Sequence, residues 1–363
     1  GWDTHGLPIE LRTLKDEVVD KDSLHPTELR MKCKAYAERF IDIQREEFKR
    51  LGVIGNWDDP YITFKPEYEA IELEAFAEMV DRGYVYRGQK PIYWCTDCET
   101  ALAAAEIEYE DIYSPSIYVA YPLKKDDFAF LNGREAYAII WTTTPWTLPA
   151  SLAIAVHPDF DYVFASSGNK IYLLAKGLMD KVQHDTGITF DSVLYEIKGK
   201  ELEGRKAVHP FYDDREIVFV LGEYVSLDDG SGCVHTAPGH GVEDFETGVK
   251  YGLEIYNPVD DKGYFLPETP IVGGLSLDEG SGKVLEILKK SGRLLGEGKI
   301  MHSYPHCWRC KKPVIFRATN QWFIAVSQFK EDSLKAISSV QWIPSWGQER
   351  IANMVRDRSD WCI

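Results

Sequence analysis

Two cysteine pairs with the same spacing constrain the fold of this chain more than any other feature. Cys95 and Cys98 form one C-x2-C pair, and Cys307 and Cys310 form the other at a distant point in the chain. A tight turn allows both thiolates of such a pair to bind one tetrahedral metal ion, so two pairs supply the ligands of a closed zinc site. The spacing therefore predicts a structural zinc knuckle with four cysteine ligands, which fastens together the two ends of an intervening domain.

The other three cysteines, Cys33, Cys233 and Cys362, stand alone. Because the total of seven is odd, a fully paired disulfide framework would leave one over, and a reducing cytoplasm fits this cysteine usage better. The alternative to a metal site is a set of four unrelated buried cysteines. A zinc hydrolase is disfavoured, because four sulfur ligands leave no position open for a reactive water.

The periodicity of apolar residues divides the chain into a helical beginning and a β-rich middle. Apolar residues recur every three or four positions over 27–51 and again from Pro66 to Gly83, which predicts two amphipathic helices. Short β-rich runs separated by Gly, Asn and Asp turns follow Cys98, and another helix is expected near 280–290. The chain is long enough for two or three domains. The expected organisation is an α/β protein with a mainly helical flank over 1–90, a first knuckle half with connecting strands over 91–114, a β-rich domain over 115–300 and a second knuckle half over 301–363.

The charge balance bears on nucleic-acid binding. With 41 Lys and Arg against 58 Asp and Glu, the formal net charge is −17, so contact with nucleic acid requires a local basic patch. Basic and aromatic residues do alternate around the second cysteine pair: Lys299, His302, His306, Arg309, Lys311, Lys312 and Arg317, interleaved with Tyr304, Trp308 and Phe316. This cluster suits a phosphate backbone with stacked bases, but it suits a solvated rim around the knuckle equally well.

Hydropathy and the chain ends suggest part of a soluble protein. No uninterrupted apolar stretch approaches the roughly 18 residues needed to cross a bilayer, so no membrane association is expected. The chain starts at Gly1 rather than at Met, and nothing resembles a signal peptide. We therefore expect an internal fragment of a longer cytoplasmic protein.

A threonine-rich segment follows an apolar strand over 137–144. It places the hydroxyls of Thr142, Thr143, Thr144 and Thr147 around Pro145, a residue that ends regular strand pairing. Hydroxyls at the end of a strand can line a polar pocket. An ordinary threonine-rich strand and turn is the alternative interpretation.

A second polar segment runs from Cys233 to Asp244. It delivers His235 to a strand end and Asp244 beyond a Gly/Pro loop, so that an imidazole and a carboxylate could converge. A Cys233–His235 dyad is less expected than simple packing, and no G-x-S-x-G pattern supplies a serine nucleophile. The sequence Gly280-Ser-Gly-Lys283 lacks the first glycine and the final Ser or Thr of a phosphate loop, so a helix start is predicted there.

Taken together, four features resemble a bacterial-type isoleucyl-tRNA synthetase over the whole chain: the opening GWDTHGLPIE, the segment WTTTPWTLP, the segment GCVHTAPGHGVEDF and the two cysteine pairs. Pro145-Trp146 after Thr144 favours the isoleucyl branch over its valyl and leucyl relatives. The resemblance implies an α/β fold in which a β-barrel-like editing domain is inserted into an incomplete class I Rossmann catalytic domain, with the zinc knuckle at its neck.

The resemblance also implies a function. The editing domain of such enzymes hydrolyses mischarged Val-tRNA(Ile), while the parent enzyme activates isoleucine with ATP and Mg and charges tRNA(Ile). The HIGH and KMSKS signatures that bind ATP do not occur here, so this chain is not expected to form the adenylate. The implied partners are tRNA(Ile), its valyl form and the two amino acids, with neither a membrane nor an obligate protein partner. The alternative is a zinc-stabilised tRNA-binding module without catalysis of its own.

Residue roles follow from the same resemblance. Asp3 matches the carboxylate that holds the isoleucine α-ammonium in the synthetic site, and Trp361 lies in a segment that walls that site. In the editing pocket, Thr142, Thr143, Thr144 and Thr147 would surround the terminal adenosine and the ester, His235 would border the side-chain space, and Asp244 would bind the α-ammonium. Ser151 departs from the asparagine that is common in relatives, which puts its membership of the pocket in doubt.

Overall fold

The computed structural model describes residues 1–18, 23–358 and 360–363. The chain divides into two compact units, one made of 1–86 with 322–363 and the other of 87–321. Among the described residues, no helix combines the length and apolar character that a membrane span requires.

Helices dominate the unit that contains the chain ends. In chain order, the helices of the protein are α1 (Leu7–Glu17), α2 (Pro26–Arg50), α3 (Pro66–Asp81), α4 (Met179–Thr186), α5 (Val242–Tyr251), α6 (Leu277–Lys290), α7 (Lys330–Ser339) and α8 (Trp346–Arg356). Helices α4, α5 and α6 belong to the 87–321 unit, and the others belong to the unit that contains the chain ends. Pro26 and Pro66 each occupy a first helical position, where the fixed φ of proline suits the helix and the missing N–H costs nothing. The helices predicted over 27–51, from Pro66 to Gly83 and near 280–290 are confirmed.

The Gly280–Lys283 segment lies inside α6 and forms no phosphate loop, as expected. Ser276 and Glu279 form a capping box at its start: the Ser276 Oγ accepts from the Glu279 N–H at 3.3 Å, and the Glu279 carboxylate accepts from the Ser276 N–H at 2.9 Å. A Cβ at Gly280 would lie 2.3 Å from the Phe265 ring. Glycine is therefore needed here for close packing rather than for phosphate binding.

The strands are β1 (Val85–Cys95), β2 (Thr100–Leu102), β3 (Ile107–Pro122), β4 (Ala136–Thr142), β5 (Ala153–Val156), β6 (Asp161–Ser167), β7 (Lys170–Ala175), β8 (Ser192–Lys198), β9 (Lys206–Val208), β10 (Glu216–Leu221), β11 (Val234–Thr236), β12 (Leu294–Cys307), β13 (Ile315–Ile324) and β14 (Trp361–Cys362). Two sheets make up most of the 87–321 unit. One has the order β12-β3-β4-β7-β6-β8, and the other has the order β11-β5-β10-β9. Their buried faces share one core that includes Tyr121, Ile140, Ile154, Phe164 and Phe219.

The expected barrel is not formed. An isolated bridge joins Leu123 to Ala207, but neither sheet closes on itself within the described residues. Pro145 and Pro149 interrupt strand pairing between β4 and β5, so β5 leaves the first sheet and joins the second. Strands β9 and β11 have three residues each, too few to continue the pairing around a closed wall.

Strands β3 and β12 of the six-stranded sheet form a long antiparallel ribbon that extends to the second cysteine pair. Its register runs from Val119 opposite Leu294 to Ile107 opposite Cys307. At the other pair, β1 and β2 align Cys95 with Thr100. Regular strand pairing thus sets the position of one cysteine in each pair.

Candidate functional site

The threonine segment forms a compact turn that we call the threonine turn, residues 142–150. Strand β4 ends at Thr142, and Pro145 opens a 3-10 helix that continues to Ala150. The Thr142 Oγ1 accepts from the Thr144 N–H at 3.1 Å, and the Thr147 hydroxyl donates to the Thr144 carbonyl oxygen at 2.9 Å. The hydroxyls of Thr144 and Thr147 lie 3.3 Å apart. Local hydrogen bonds therefore gather the threonine side chains, as such residues do in turns.

Strand β11 brings His235 to this turn. The turn leads directly into β5, which pairs with β11 in a register that places Thr236 opposite Ala153. As a result, the His235 Nε2 lies 3.1 Å from the Thr147 Oγ1. Because the Thr147 hydroxyl donates to a carbonyl, this contact is satisfied when the His235 Nε2–H donates to the Thr147 oxygen.

His235 is held as a neutral imidazole. It is 7% exposed, and burial, helped by the nearby His240, lowers the pKa of His235 to about 4. Its Nδ1 is buried and has no hydrogen-bond partner among the described residues. Given the Nε2–H tautomer, Nδ1 is an acceptor, and a buried acceptor of this kind favours binding of a donor from a ligand or from water.

Asp244 lies in the first turn of α5, beyond the loop that follows β11. Its Oδ2 accepts from the Ala237 N–H at 2.8 Å. Burial raises the pKa of Asp244 to about 6, against the lowering effect of the Ala237 hydrogen bond. The positive end of the helix dipole also favours the carboxylate form. Asp244 is therefore mostly ionised at neutral pH, with its pKa within reach of that range.

One cavity of about 310 Å³ brings the predicted residues together. Its lining residues are Trp141, Thr142, Thr143, Thr144, Tyr224, Val225, Ser226, Asp229, Gly230, Ser231, Gly232, Cys233, Val234, His235 and Asp244. Thr147 lies behind His235 as its hydrogen-bond partner. The hydroxyls, a neutral imidazole and a carboxylate thus face one space, an arrangement that suits a polar ligand carrying a cationic group.

The loop over 224–232 forms a wall that the sequence interpretation missed. The sequence Asp228-Asp229-Gly230 is typical of a turn and gives no sign of a place in the cavity. Gly230 has φ +77°, and a Cβ on it would lie 3.1 Å from the Trp141 Cβ, so glycine keeps this wall close to Trp141. The Asp229 carboxylate lies 3.1 Å from the Lys181 ammonium of α4.

Three other candidates do not join the polar contacts of the cavity. Cys233 lines the cavity but is almost completely buried, burial raises the pKa of its thiol, and no hydrogen bond within the described chain joins it to His235. Ser151 is buried outside the cavity lining and accepts from the Tyr121 hydroxyl at 3.2 Å. His240 packs against the Trp146 ring, with its Nδ1 3.1 Å from the Phe316 carbonyl oxygen.

The four paired cysteines form a separate cluster. Their sulfur atoms all lie within 4.8 Å of one another, and the Cys95 and Cys310 sulfurs are 3.5 Å apart. Zinc–sulfur bonds of about 2.3 Å in a tetrahedron require sulfurs about 3.8 Å apart, so the cluster fits zinc. The residue after each pair, Glu99 and Lys311, has a left-handed backbone with φ 51° and 61°. A left-handed residue therefore follows the second cysteine in both turns.

Three of the seven basic residues around the second pair form ion pairs with carboxylates. Arg309 binds Glu106 at 3.0 Å and Arg317 binds Asp261 at 2.6 Å, while Lys311 binds Glu108. His306 is buried. Exposed Lys299, exposed Lys312 and half-exposed Trp308 remain at the surface. These ion pairs reduce the local positive potential, which favours the interpretation as a rim around the knuckle.

A second cavity, of about 390 Å³, lies away from this chemistry. Its lining includes Asn257, Asn320, Gln321 and Trp94, together with Arg317. The Arg317 guanidinium lies over the Trp94 ring and pairs with Asp261. Its charge is therefore already neutralised, and the cavity contains none of the predicted pocket or metal residues.

The two residues assigned to a synthetic site belong to the other unit. Asp3 is exposed and its Oδ1 accepts from the His5 N–H at 3.4 Å. Trp361 is 50% exposed and pairs with Ile324 through β14. Within the described residues, no hydrogen bond or ring contact brings the two together.

Comparisons with known proteins identify the family. Isoleucine–tRNA ligases from Thermoanaerobacter sp. (strain X514) and Caldanaerobacter subterraneus subsp. tengcongensis are 53% and 54% identical over the whole chain, which spans 39% of their length. A crystal structure of the P. knowlesi cytosolic leucyl-tRNA synthetase editing domain matches 53% of this chain and 97% of its own, with TM-score 0.42 and 10% identity, a similarity too low to establish an activity. The family model for class I tRNA synthetases (I, L, M and V) matches residues 1–363, so the chain belongs to the class I tRNA synthetase family.

Proposed function

We propose that this chain is the editing segment of an isoleucine–tRNA ligase and that it hydrolyses the ester of mischarged Val-tRNA(Ile). The observation that carries the proposal is the cavity shared by the threonine turn, His235 and Asp244. The parent enzyme would activate isoleucine with ATP and Mg and charge tRNA(Ile) in the cytoplasm. The relatives' name and the family match support this assignment.

Editing is needed because a single binding pocket discriminates poorly between isoleucine and valine. One missing methylene in an apolar pocket is worth only about 1 to 3 kcal/mol, and isoleucine against valine is the standard example of that limit. A second site that admits valine and refuses the extra methylene supplies the remaining selectivity. The neutral ring of His235 suits the border of this side-chain space, because it is buried and carries no charge near neutral pH.

Asp244 suits the α-ammonium group of the aminoacyl ester. It presents a carboxylate at a helix N-terminus, and a pKa of about 6 leaves it mostly ionised at neutral pH. Thr142, Thr143 and Thr144 supply hydroxyls for the adenosine and the ester. Thr147 acts from behind, by holding the His235 ring.

The reaction is a direct hydrolysis. Water attacks the ester carbonyl carbon, the bond between that carbon and the ribose oxygen breaks, and valine and free tRNA leave. A covalent acyl-enzyme is not proposed, because the cavity thiol of Cys233 is buried with a raised pKa. Zinc at the four cysteines is structural and takes no part in the reaction, since four sulfur ligands close its coordination sphere.

The 1–86 and 322–363 unit is proposed as part of the class I Rossmann catalytic domain. Asp3 would hold the isoleucine ammonium there, and Trp361 would wall the amino-acid site. Neither residue takes part in ester hydrolysis. Substituting Asp3 should therefore leave deacylation by this chain unchanged.

Deacylation of Val-tRNA(Ile) beside Ile-tRNA(Ile) tests the proposed function. We expect hydrolysis of the valyl ester alone, and Asp244→Asn should lower its rate by at least about tenfold because the ammonium loses its counter-charge. Glu243→Gln is the matched control: it removes a neighbouring exposed carboxylate of the same helical turn and should keep the rate. A folded chain that binds tRNA(Ile) but never deacylates it would instead establish the binding module.

A further inference from the structure

The loop between β9 and β10, residues 209–215, contacts the threonine turn from outside the cavity. His209 is fully buried, and its Nε2 lies 2.8 Å from the Leu148 carbonyl oxygen. The Arg215 Nη1 donates to the Pro149 carbonyl oxygen at 2.6 Å. Two successive carbonyls of the turn therefore each receive a hydrogen bond from this loop.

The hydrogen bonds of His209 define its tautomer. Its Nδ1 lies 3.3 Å from the Phe211 nitrogen and 3.2 Å from the Tyr212 nitrogen, and both backbone N–H groups donate to it. Nδ1 is therefore an acceptor, and the Nε2–H must donate to the Leu148 oxygen, which can only accept. Burial lowers the pKa of His209 to about 3, so the ring stays neutral.

The residues of this loop contact one another. The Tyr212 ring stacks on the His209 ring with centroids 4.6 Å apart, and the Arg215 guanidinium lies 4.6 Å from the Tyr212 centroid. The His209 N–H donates to the Arg215 carbonyl oxygen at 2.9 Å, which closes the loop. A preformed donor pair of this kind can restrain the backbone that it contacts.

The restrained carbonyls lie next to the functional contact. Leu148 and Pro149 directly follow Thr147, whose oxygen meets the His235 Nε2 at 3.1 Å. Neither Leu148 nor Pro149 lines the cavity, and neither do the loop residues. The loop therefore contacts the backbone of the turn without forming part of the cavity lining.

We propose that His209 and Arg215 are positioning residues, which set the threonine turn against His235 and so align the ester for hydrolysis. The inference rests on the proposed editing function, but the restraint itself is a property of the structure. Displacements of about 1 Å in a positioning group can cost up to about 100-fold in rate. Loss of either donor should therefore lower the rate at which bound substrate is hydrolysed, and should change the affinity for the substrate much less.

Two substitutions of His209 distinguish the contributions of its two ring nitrogens. His209→Gln places an amide N–H near the position of Nε2 and keeps the bond to Leu148, whereas His209→Asn places an acceptor near Nδ1 and loses that bond. We expect His209→Asn to lower kcat for Val-tRNA(Ile) by about tenfold or more with KM little changed, while His209→Gln keeps most of the rate. Equal rates in the two folded variants would overturn the proposal.

Arg215 gives a second test, in which the substituted side chain is only partly buried, unlike that of His209. Arg215→Met should lower kcat, and Arg215→Lys should restore part of it by donating to the Pro149 oxygen. An Arg215→Met chain with the full rate and a normal melting temperature would contradict the assignment.

Threonine methyl NMR spectra test the restraint on the turn without measuring activity. His209→Asn and Arg215→Met should shift the signals of Thr144 and Thr147, whereas His209→Gln should leave them near their original positions. Unshifted spectra in both loss variants would overturn the restraint. If the unsubstituted chain does not hydrolyse the ester but these shifts occur, the proposed function fails while the restraint stands.

Discussion

The Thr147 Oγ1 lies 3.1 Å from the His235 Nε2, across 88 positions of sequence. This contact joins the two polar segments of the chain at the cavity. It exists because the threonine turn runs into β5, and β5 pairs with β11. A change on either side of the contact should therefore alter the cavity.

Thr147→Val should weaken both the fold and the activity. Valine has nearly the same shape but leaves the buried His235 Nε2–H without its acceptor, which costs about 1 to 3 kcal/mol. The valyl deacylation rate should fall as well, because this hydrogen bond holds the His235 ring. Chemical denaturation and single-turnover deacylation measure the two effects, and Thr147→Ser, which keeps the hydroxyl, should retain most of both. Equal losses in the serine and valine variants would argue against the hydrogen bond.

The deacylation rate should depend on pH through Asp244. Burial raises its pKa to about 6, so the ammonium-binding carboxylate forms as the pH rises through that value. Val-tRNA(Ile) hydrolysis should accordingly increase as the pH rises from below about 6 to neutrality. His235, with a pKa of about 4, stays neutral over this range and adds no second step. In Asp244→Asn the step near the Asp244 pKa should disappear; a step that persists there would belong to another group.

The same pKa shift affects stability with the opposite sign. The folded state binds the Asp244 proton more tightly than the unfolded chain does, so this group stabilises the fold at low pH. That contribution should be lost as the pH rises from about 4, its unfolded value, through about 6. Comparing the free energy of unfolding of the unsubstituted and Asp244→Asn chains across this range isolates it.

Gly230→Ala should damage the cavity specifically. The residue has φ +77°, and an added Cβ would lie 3.1 Å from the Trp141 Cβ, so the wall or the Trp141 side chain must move. We expect a loss of about 1 kcal/mol in stability from the backbone and a further loss of valyl deacylation from the displaced wall. Gly204 has the same φ of +77° with no atom within 4 Å, so Gly204→Ala measures the backbone effect alone.

Zinc removal should destabilise the chain without changing the chemistry of the folded fraction. Cys98→Ser should abolish binding of one zinc per chain and lower the melting temperature, because a structural zinc contributes folding free energy directly. Metal analysis and thermal unfolding measure this effect. Cys33→Ser, which alters a cysteine outside the cluster, should leave both quantities unchanged. Zinc dependence of the rate in a fully folded sample would contradict a structural role.

The sequence predicted the convergence of the cavity residues better than the architecture around them. Adjacent hydroxyls after a strand, and a histidine and an aspartate around a Gly/Pro loop, are local patterns that survive folding. The open sheets could not be predicted, since the placement of β5 in the second sheet depends on where Pro145 and Pro149 interrupt pairing. The catalytic roles, the boundaries over 1–90, 91–114, 115–300 and 301–363, and the synthetic-site roles of Asp3 and Trp361 stay predictions.

The contribution of His209 and Arg215 had no local signal. Each acts through a backbone carbonyl of a segment far away in sequence, so the residue type alone does not show the contact. Asp229 and Gly230 gave a turn signal, but their place in the cavity wall depends on the distant Trp141 and Lys181. Such long-range contacts become visible only in three dimensions.

The convergence of the two cysteine pairs has a topological consequence. Because the two cysteine pairs meet at one point, the chain between them forms a closed loop whose two ends lie together. The entropy of closing such a loop grows slowly with its length, by about 0.6 kcal/mol per doubling. Segments could thus be gained or lost within the loop during evolution while its entry and exit stayed at the same place.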